Sequence, residues 1–221
     1  MCKFELESFV SQKAYAFHCG EFAGLERSMV ILKIYLARHG ETDWNIESRI
    51  QGQVDTELNE KGRQQAEELA RKIAEGEYQI GSIYTSAKKR ALETAWIAGN
   101  KLGMVPKVQQ GLEEISFGKW EGYRWKQVRE LFPEEYQVWR NNRRYQVPPE
   151  GESYQQLLDR LLPALSDIAK KEKVNALVVT HSAVIMTLLS YLYDTPFEDM
   201  AKNYKTGNAG VVELEGALFV H

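Results

Sequence analysis

The 221-residue chain has an ordinary globular composition, with 43% hydrophobic residues, 27% charged residues and a net charge of −3 at pH 7. This composition allows one well-buried core, and its acidic balance argues against nucleic acid or an anionic membrane as the main partner. The two cysteines, Cys2 and Cys19, form no close pair and have no metal-ligand spacing, which is typical of a reducing cytoplasm. No apolar run approaches the ~18 residues that a membrane-spanning helix needs.

Residues 1–29 differ from the rest of the chain, because they mix glycine, serine and charged residues without clear periodicity. They lack the basic start, the continuous apolar segment and the small-residue cleavage site of a signal peptide. We expect a poorly ordered extension, with Met29 as an alternative start of the protein. A docking arm for a partner is the other interpretation. The domain itself is expected over residues 30–221.

The first predicted elements are a strand over residues 29–37 and a helix that begins at Asn59. The strand is nearly all apolar, as in a central strand that is buried on both faces. The helix ends at Gly76 and has an apolar stripe on one face. That stripe consists of Ala66, Leu69, Ala70 and Ile73. A second strand is predicted over residues 80–86.

Ser86 is placed to cap the next predicted helix, which carries an alanine-rich stripe and ends at Gly103. A short strand over residues 105–110 comes after it. From about residue 111 to residue 150 the pattern is aromatic and irregular, which is typical of a cap insertion rather than of a sheet. This segment is the expected cap of the domain.

Regular patterning returns at Ser153, which forms a capping box with Gln156 at the start of a long helix. Pro163 lies inside that helix and is expected to kink it. The remaining predicted elements are a strand over 176–181, a helix over 184–193 and a strand or hairpin over 209–220. Strands that alternate with helices predict an α/β fold, a three-layer α/β/α sandwich with a mainly parallel central sheet.

Four basic side chains lie where strands of this sheet are expected to end. Arg38 and His39 follow the first strand, Arg90 lies one turn into the helix after the second, and His181 closes the strand over 176–181. Ligands of open α/β sheets bind beyond the carboxyl ends of the strands, so we expect these side chains to converge. Each alone has an ordinary explanation, such as a buried structural histidine or a solvated helix face. Their convergence favours a site.

A phosphoryl group would use every one of these side chains. Its oxygens call for the bidentate donors of Arg38 and Arg90, and helix N-termini at Ser86 and Ser182 would add backbone N–H groups. Two nearby guanidinium charges disfavour imidazolium, so His39 should stay in the neutral form that attacks phosphorus. A leaving alkoxide also needs a proton from a carboxylic acid. The candidates for that acid are Glu113, Glu114 and Glu121.

Six motifs along the chain resemble the histidine phosphatase superfamily, also called phosphoglycerate-mutase-like. In chain order they are LARHGETDWN, RIQGQVDTELNEKGRQQA, IYTSAKKRALETA, LEEISFGKWEG, PPEGES and VVTHS. The resemblance implies that His39 attacks phosphorus and forms a phosphoenzyme, from which water or a second alcohol takes the group. It implies Arg38, Arg90 and His181 as the other phosphate-pocket residues. The family pattern L-x-E-I-x-F-G places the acid before the isoleucine and therefore favours Glu114.

The same resemblance implies further contacts to phosphate and substrate. Thr42, Asn45, Gln51 and Gly52 match family positions that line the phosphate and the substrate. After the second histidine the family usually has glycine, whereas this chain has Ser182, whose hydroxyl can donate to phosphate.

No cofactor and no metal is expected for this chemistry. None of the four histidines, His18, His39, His181 and His221, forms a ligand pair at helical spacing. A thiol phosphatase is disfavoured because neither cysteine is followed by an arginine that would close a phosphate loop.

The segment over residues 116–150 should determine the substrate. Its aromatic side chains either pack a small cap or line a pocket. Arg140, Arg143 and Arg144 either form a solvated face or bind a carboxylate or a second phosphate. The stretch RRYQVPP is similar to cofactor-dependent phosphoglycerate mutases, whereas EISFGKWEG resembles the monophosphatase branches.

We therefore expect a hydrolase that acts on phosphomonoesters of small metabolites and is similar to broad-specificity or α-ribazole phosphatases. The alternatives are a cofactor-dependent phosphoglycerate mutase and a catalytically silent phosphate-binding regulatory protein. The expected partner is a small-molecule phosphate ester, with no nucleic acid and no membrane. The chain is expected to act in the cytoplasm as a monomer or homodimer.

Overall fold

The computed structural model describes residues 32–220, and within them one sheet forms the centre of the molecule. Its strands are β1 (Lys33–Arg38), β2 (Ile80–Thr85), β3 (Lys107–Val108), β4 (Asn175–Thr180) and β5 (Val211–Glu215). They lie in the order β3-β2-β4-β1-β5. All neighbouring pairs are parallel except β1 and β5, which are antiparallel. The prediction of a mainly parallel sheet is confirmed.

Helices cover both faces of this sheet. In the described part of the chain they are α1 (Asp43–Ile46), α2 (Glu60–Ala74), α3 (Lys89–Leu102), α4 (Trp125–Leu131), α5 (Pro133–Asn141), α6 (Tyr154–Lys171), α7 (Ser182–Leu192) and α8 (Met200–Asn203). Short 3-10 turns lie at Gly118–Trp120 and Gly216–Phe219. Side chains of α2 and α3 form one buried cluster, and those of α6, α7 and the cap form another. This arrangement is the predicted three-layer sandwich.

Successive residues of β1 supply the two clusters in turn, as the alternation of a strand requires. Ile34 and Leu36 belong to the cluster under α6 and α7, while Tyr35 and Ala37 belong to the cluster under α2 and α3. An apolar side chain is needed at each of these positions because both faces of β1 are covered. The continuous apolar run in the sequence results from this constraint.

The predicted helix starts are confirmed at two positions. Asn59 precedes α2 and its side chain accepts a hydrogen bond from the Gly62 N–H at 2.8 Å. Ser153 precedes α6 and forms the expected capping box with Gln156. The helix then continues through Pro163 to its end.

Two predictions need correction, and a third is decided between its alternatives. The strand predicted over 105–110 is reduced to the two residues of β3. Of the strand or hairpin predicted over 209–220, the structure has the strand, β5, followed by a 3-10 turn. Ser86 does not cap α3, because that helix begins at Lys89 with Lys88 at the cap position. The predicted extension 1–29, the first residues of the strand predicted over 29–37, and His221 lie outside the described residues.

The cap segment is built around aromatic rings. Trp120 and Trp139 are fully buried, and Trp125 stacks on Trp139 with ring centroids 5.4 Å apart and planes inclined by 15°. Phe117 meets Trp125 edge to face at 5.3 Å. These rings join the same buried cluster as α6 and α7, so the cap is anchored to the domain through its aromatic side chains.

Two glycines allow the loop after β1 to touch the start of α2. A Cβ atom on Gly40 would meet the carbonyl of Gly62, and a Cβ atom on Gly62 would meet the carbonyl of Glu41. The Gly40 N–H also donates to the hydroxyl of Thr94 on α3 at 3.0 Å. The backbone that follows β1 is therefore held directly against both helices.

This close approach predicts that Gly62→Ala destabilises the domain. We expect the free energy of unfolding to fall by about 1–3 kcal/mol, because the new methyl group meets a backbone carbonyl that cannot rotate away. The loss should occur although alanine has the higher helix propensity. Denaturant unfolding measures the change. Gly207→Ala is the matched control, since a Cβ atom there meets nothing within 4 Å and should shift stability by less than about 0.5 kcal/mol. Equal stabilities would refute the packing argument.

Candidate active site

The predicted basic side chains come together at the carboxyl edge of the sheet. Arg38 lies opposite Thr180 in the parallel pair of β1 and β4, so His39 and His181 follow neighbouring strands at the same level. Their ring centroids are 5.3 Å apart. Arg38, His39 and Arg90 line one cavity of about 560 Å³, and all four side chains are at most 9% exposed. The structure thus brings this part of the predicted site together.

One nitrogen of His39 is free to act as a nucleophile. Nδ1 lies 2.6 Å from the carbonyl oxygen of Gly40, and since a carbonyl only accepts, we assign the ring proton to Nδ1. Nε2 then carries the lone pair. Burial lowers the pKa of His39 well below 6.5, and the charges of Arg90 and Arg38 lower it further. The sequence predicted the neutral form from the two arginines alone, whereas burial is the larger cause.

Each of the two arginines is held by main-chain carbonyls, and in each the Nε donor is left without a partner among residues 32–220. Arg38 Nη1 donates to the Thr206 carbonyl at 2.9 Å. Arg90 donates from Nη1 to Val54 at 2.8 Å and from Nη2 to Gly52 at 2.9 Å. Both Nε atoms are buried and have no hydrogen-bond partner within the described residues. Buried, unpaired guanidinium donors are the groups that an oxyanion can satisfy.

A hydrogen bond with Ser86 orients the ring of His181, which offers a further donor to the site. Its Nε2 lies 2.9 Å from the Ser86 hydroxyl, which already accepts from the Lys88 N–H at 3.3 Å. We assign the hydroxyl hydrogen of Ser86 to the contact with Nε2, which places the ring proton of His181 on Nδ1. Nδ1 is buried and unpaired among residues 32–220. Ser86, predicted as a helix cap, therefore orients the second histidine instead.

Glu114 is the carboxyl group that shares the cavity with these basic side chains. It is 8% exposed, and its oxygens accept from the N–H groups of Ile115 at 3.1 Å and Ala183 at 3.3 Å. Burial raises the pKa of Glu114, against the opposing effect of the nearby Arg90 charge. A raised pKa keeps the carboxyl protonated over a wider pH range, as a proton donor requires.

The other two predicted acid candidates serve the backbone. Glu113 accepts from the Gly111 N–H at 2.8 Å and pairs with Arg160 at 3.7 Å. Glu121 accepts from the N–H groups of Gln53 at 2.9 Å and Phe117 at 3.0 Å. Neither of them lines the cavity, which leaves Glu114 as the carboxyl group placed for acid catalysis.

The predicted contact residues divide into two groups. Asn45, Gln51, Gly52 and Ser182 line the cavity. Thr42 does not; it is fully buried and its hydroxyl caps α1 by accepting from the Asn45 N–H at 3.2 Å. Thr42 therefore orients Asn45 rather than facing the cavity.

The loop before β5 contributes residues that no motif in the sequence indicated. Asn208 donates to the carbonyl of His39 at 3.3 Å and to Oδ1 of Asn45 at 3.1 Å. Thr206 accepts from Arg38, and Lys205 lines the cavity. The available signal was topological: a strand antiparallel to β1 must begin at the edge where β1 ends. The sequence did not show that β5 was that strand.

The three cap arginines have different surroundings. Arg140 is exposed, and Arg144 stacks on Phe197 at 5.2 Å and donates to Gln155 at 2.9 Å, outside the site cavity. Arg143 lines the cavity, with its guanidinium carbon 4.5 Å from the centroid of the Trp139 ring. Its Nε is buried without a partner in the described part of the chain. The rest of the cavity wall on this side is mainly aromatic, formed by Trp44, Phe117, Trp125, Tyr136, Trp139 and Tyr154.

Two features are absent from the described residues. Over residues 32–220, no three histidine, cysteine, aspartate or glutamate side chains are placed to hold a metal ion together. None of the helices in this range has the length and apolar character needed to cross a membrane.

Comparisons with known proteins indicate one superfamily. The family model described as "Histidine phosphatase superfamily (branch 1)" matches residues 34–217. "Phosphoglycerate mutase-like protein 4" of Arabidopsis thaliana is 40% identical over 71% of this chain and 69% of its own length. "Metal-independent phosphoserine phosphatase" of the same plant is 38% identical over 72% of this chain and 67% of its own length. A solved mycobacterial glucosyl-3-phosphoglycerate phosphatase in complex with VO3 has a TM-score of 0.73 at 31% identity, covering 83% of this chain and 92% of that one.

The buried imidazole of His39 predicts a pH dependence of folding. The pKa of His39 lies well below 6.5 in the folded chain and returns to about 6.5 on unfolding. At His39 the unfolded state therefore binds more protons below about pH 6.5, and the contribution of this residue to the free energy of unfolding falls as the pH falls. Between about pH 6.5 and pH 5.5 the wild-type slope should exceed that of His39→Gln by up to about 1.4 kcal/mol per pH unit. Denaturant titrations at matched pH measure both slopes, and equal slopes would contradict a neutral buried ring.

Proposed function

The chain belongs to the histidine phosphatase superfamily, and from this premise we propose that it hydrolyses phosphomonoesters of small metabolites through a phosphohistidine intermediate. The observation that carries the proposal is the unprotonated Nε2 of His39 beside the unpaired, buried Nε atoms of Arg38 and Arg90. Such a site combines a nucleophile with donors for the negative oxygens of phosphate. Two of the similar proteins are phosphatases by name, which supports hydrolysis.

The geometry supports a two-step reaction. In the first step the lone pair of His39 Nε2 attacks phosphorus, the ester P–O bond breaks, and Glu114 gives its proton to the departing alkoxide. In the second step the Glu114 carboxylate takes a proton from water as the water attacks phosphorus and the P–Nε2 bond breaks, which releases phosphate, returns the lone pair to His39 Nε2 and protonates Glu114 again. Arg38, Arg90 and His181 Nδ1–H would bind the non-bridging oxygens throughout.

Phosphatase activity is favoured over the two alternatives. A phosphoglycerate mutase must also bind the acid group of its substrate while the phosphoryl group is transferred back, and basic side chains in the cavity would do this. Of the three cap arginines, only Arg143 lines the cavity. The mutase-like relative in Arabidopsis keeps that alternative open for experiment. A silent binding protein would not need a buried carboxyl with a raised pKa beside the nucleophile. We therefore expect turnover with release of free phosphate.

The first test is phosphate release from a panel of phosphomonoesters, run beside a coupled mutase assay and with a chelator present. The panel contains phosphoserine, 3-phosphoglycerate, α-ribazole phosphate and p-nitrophenyl phosphate. We expect free phosphate without isomerisation, and a labelled phosphoenzyme after acid quenching. His39→Ala should lose the label and lower kcat on the order of 10⁴-fold or more, while it still binds inorganic phosphate.

Three results would contradict this proposal. Interconversion of 2- and 3-phosphoglycerate with little free phosphate would identify a mutase. Undiminished turnover or labelling of His39→Ala would exclude His39 as the nucleophile. Loss of activity with the chelator and its rescue by a divalent ion would exclude the metal-free mechanism.

Arg143 supports a substrate class within this function, namely phosphomonoesters whose alcohol carries a second acidic group. A guanidinium that is stacked on Trp139 and has an unpaired Nε can form a charge-assisted hydrogen bond with such a group. Arg143→Met keeps the apolar length beside the ring, and should lower kcat/KM for phosphoserine or 3-phosphoglycerate by about 10- to 100-fold. For p-nitrophenyl phosphate the change should stay below about 3-fold. The exposed Arg140→Met is the matched control, and equal losses on both kinds of ester would remove Arg143 from substrate recognition.

A further inference from the structure

Arg160, on α6, binds the backbone of the segment that carries Glu114. Its Nη1 donates to the carbonyls of Gly111 and Glu113, each at 2.9 Å, and its Nη2 donates to the carbonyl of Glu114 at 3.0 Å. One guanidinium thus satisfies three main-chain acceptors within four consecutive residues. Its side chain is 26% exposed, and it does not line the site cavity.

Glu152 completes the attachment from the other side of Arg160. The two side chains form a bidentate pair, with Arg160 Nε 2.7 Å from Oε1 and Nη2 2.9 Å from Oε2. Oε2 of Glu152 also accepts from the Ser116 N–H at 3.2 Å, and the Glu152 N–H donates to the Ser116 carbonyl at 2.8 Å. The backbone is therefore held both before and after Glu114. We call residues 111–116 the acid segment.

The acid segment needs such an attachment because it lies in neither a helix nor a strand. Its carbonyls have no ladder partners, and a buried carbonyl without a donor is costly. Within residues 32–220, the carboxyl group of Glu114 accepts from two N–H groups, one of its own neighbour Ile115 and the other of Ala183 at 3.3 Å. The position of the carboxyl group relative to His39 therefore depends on the backbone of the acid segment, which Arg160 and Glu152 hold together with the side chains of Gln53 and Thr180.

We propose that Arg160 is a positioning residue for acid catalysis, which together with Glu152 fixes the acid segment so that Glu114 meets the oxygen of the leaving group. The proposal rests on the acid role of Glu114 in the function proposed above. Arg160 touches neither the phosphate donors nor the cavity, so its loss should leave phosphate binding intact. A displacement of about 1 Å at a catalytic group can lower the rate on the order of 100-fold.

The predicted signature is a loss of rate that depends on the leaving group. An alkyl phosphate needs the proton of Glu114 when its P–O bond breaks, whereas p-nitrophenyl phosphate hardly needs it. For Arg160→Gln we expect kcat/KM to fall about 10- to 100-fold on alkyl phosphates and less than about 3-fold on p-nitrophenyl phosphate. The dissociation constant of inorganic phosphate should change less than about 2-fold. A merely structural role would lower kcat/KM on both kinds of ester to a similar extent and raise the dissociation constant of phosphate.

The experiment measures kcat/KM over a series of phosphate esters with increasingly basic leaving groups, because this constant reports transfer to His39. Wild type is compared with Glu114→Gln, Arg160→Gln, Arg160→Lys and Glu152→Gln. Arg160→Lys keeps the charge but cannot reproduce the fork of donors, so it should fall between wild type and Arg160→Gln. Arg63→Gln is the matched control. Arg63 Nε lies 2.6 Å from Glu93 Oε1, and this ion pair does not line the site cavity.

Each outcome has a distinct meaning. A steep leaving-group dependence in Glu114→Gln, reproduced in weaker form by Arg160→Gln and Glu152→Gln, supports the proposal. Steep dependence in Glu114→Gln alone overturns the positioning role and leaves the proposed function standing. No change in Glu114→Gln overturns the acid assignment, and the positioning role falls with it. If Arg160→Gln fails to fold, Arg160→Lys and Glu152→Gln decide the question by the same comparison.

Discussion

The burial of two guanidinium groups beside two histidines is the constraint on which the rest of the site depends. Charges removed from water need compensating partners. Here the hydrogen bonds that the terminal nitrogens of Arg38 and Arg90 donate go to neutral carbonyls. Burial raises the pKa of Glu114, the carboxyl group that lines the same cavity. The cavity therefore retains unpaired positive donors, and a phosphoryl group is the ligand whose charge and geometry satisfy them. Burial, together with the charge of Arg90, lowers the pKa of both His39 and His181 well below 6.5.

The order of the strands in the sheet brings these groups to one edge. Because β4 lies between β1 and β2, the residues that follow the three strands emerge at one edge. The antiparallel β5 returns the chain to the same edge, which is why Asn208 can reach the carbonyl of His39. The contact between Gly40 and Gly62 leaves no space for a side chain between the loop that carries His39 and the start of α2. These backbone contacts hold the loop of His39 at the edge of the sheet.

In the proposed function, chemistry and specificity belong to different parts of the fold. The side chains proposed to bind phosphate lie at the sheet edge, whereas the wall that a leaving group would meet comes largely from the aromatic cap and from Arg143. Glu114 lies between the two, on the acid segment that Arg160 and Glu152 tie to α6. A cap of this kind can vary in its side chains without disturbing the nucleophile, since function in such folds resides in loops placed by a rigid scaffold.

Local patterns were sufficient for the sheet, the main helices and the basic side chains, because periodicity and strand ends are properties of neighbouring residues. The apolar run before Arg38 and the capping residues Asn59 and Ser153 needed no tertiary information. The choice of Glu114 over Glu113 came from family resemblance. Residue type alone could not make it, since what separates adjacent glutamates is which one the backbone turns into the cavity.

Tertiary structure alone decided the contacts of Ser86, Thr42, Asn208, Arg143 and Arg160. Each acts through a partner that is distant in sequence or through a backbone direction that no local pattern encodes. Ser86 has the composition of a helix cap, yet its hydroxyl serves a histidine 95 positions away. The sequence by itself determined which chemical groups are present and at which strand ends they lie. Only the folded chain decided which of them face the cavity, because that depends on the packing of segments that meet after the sheet has formed.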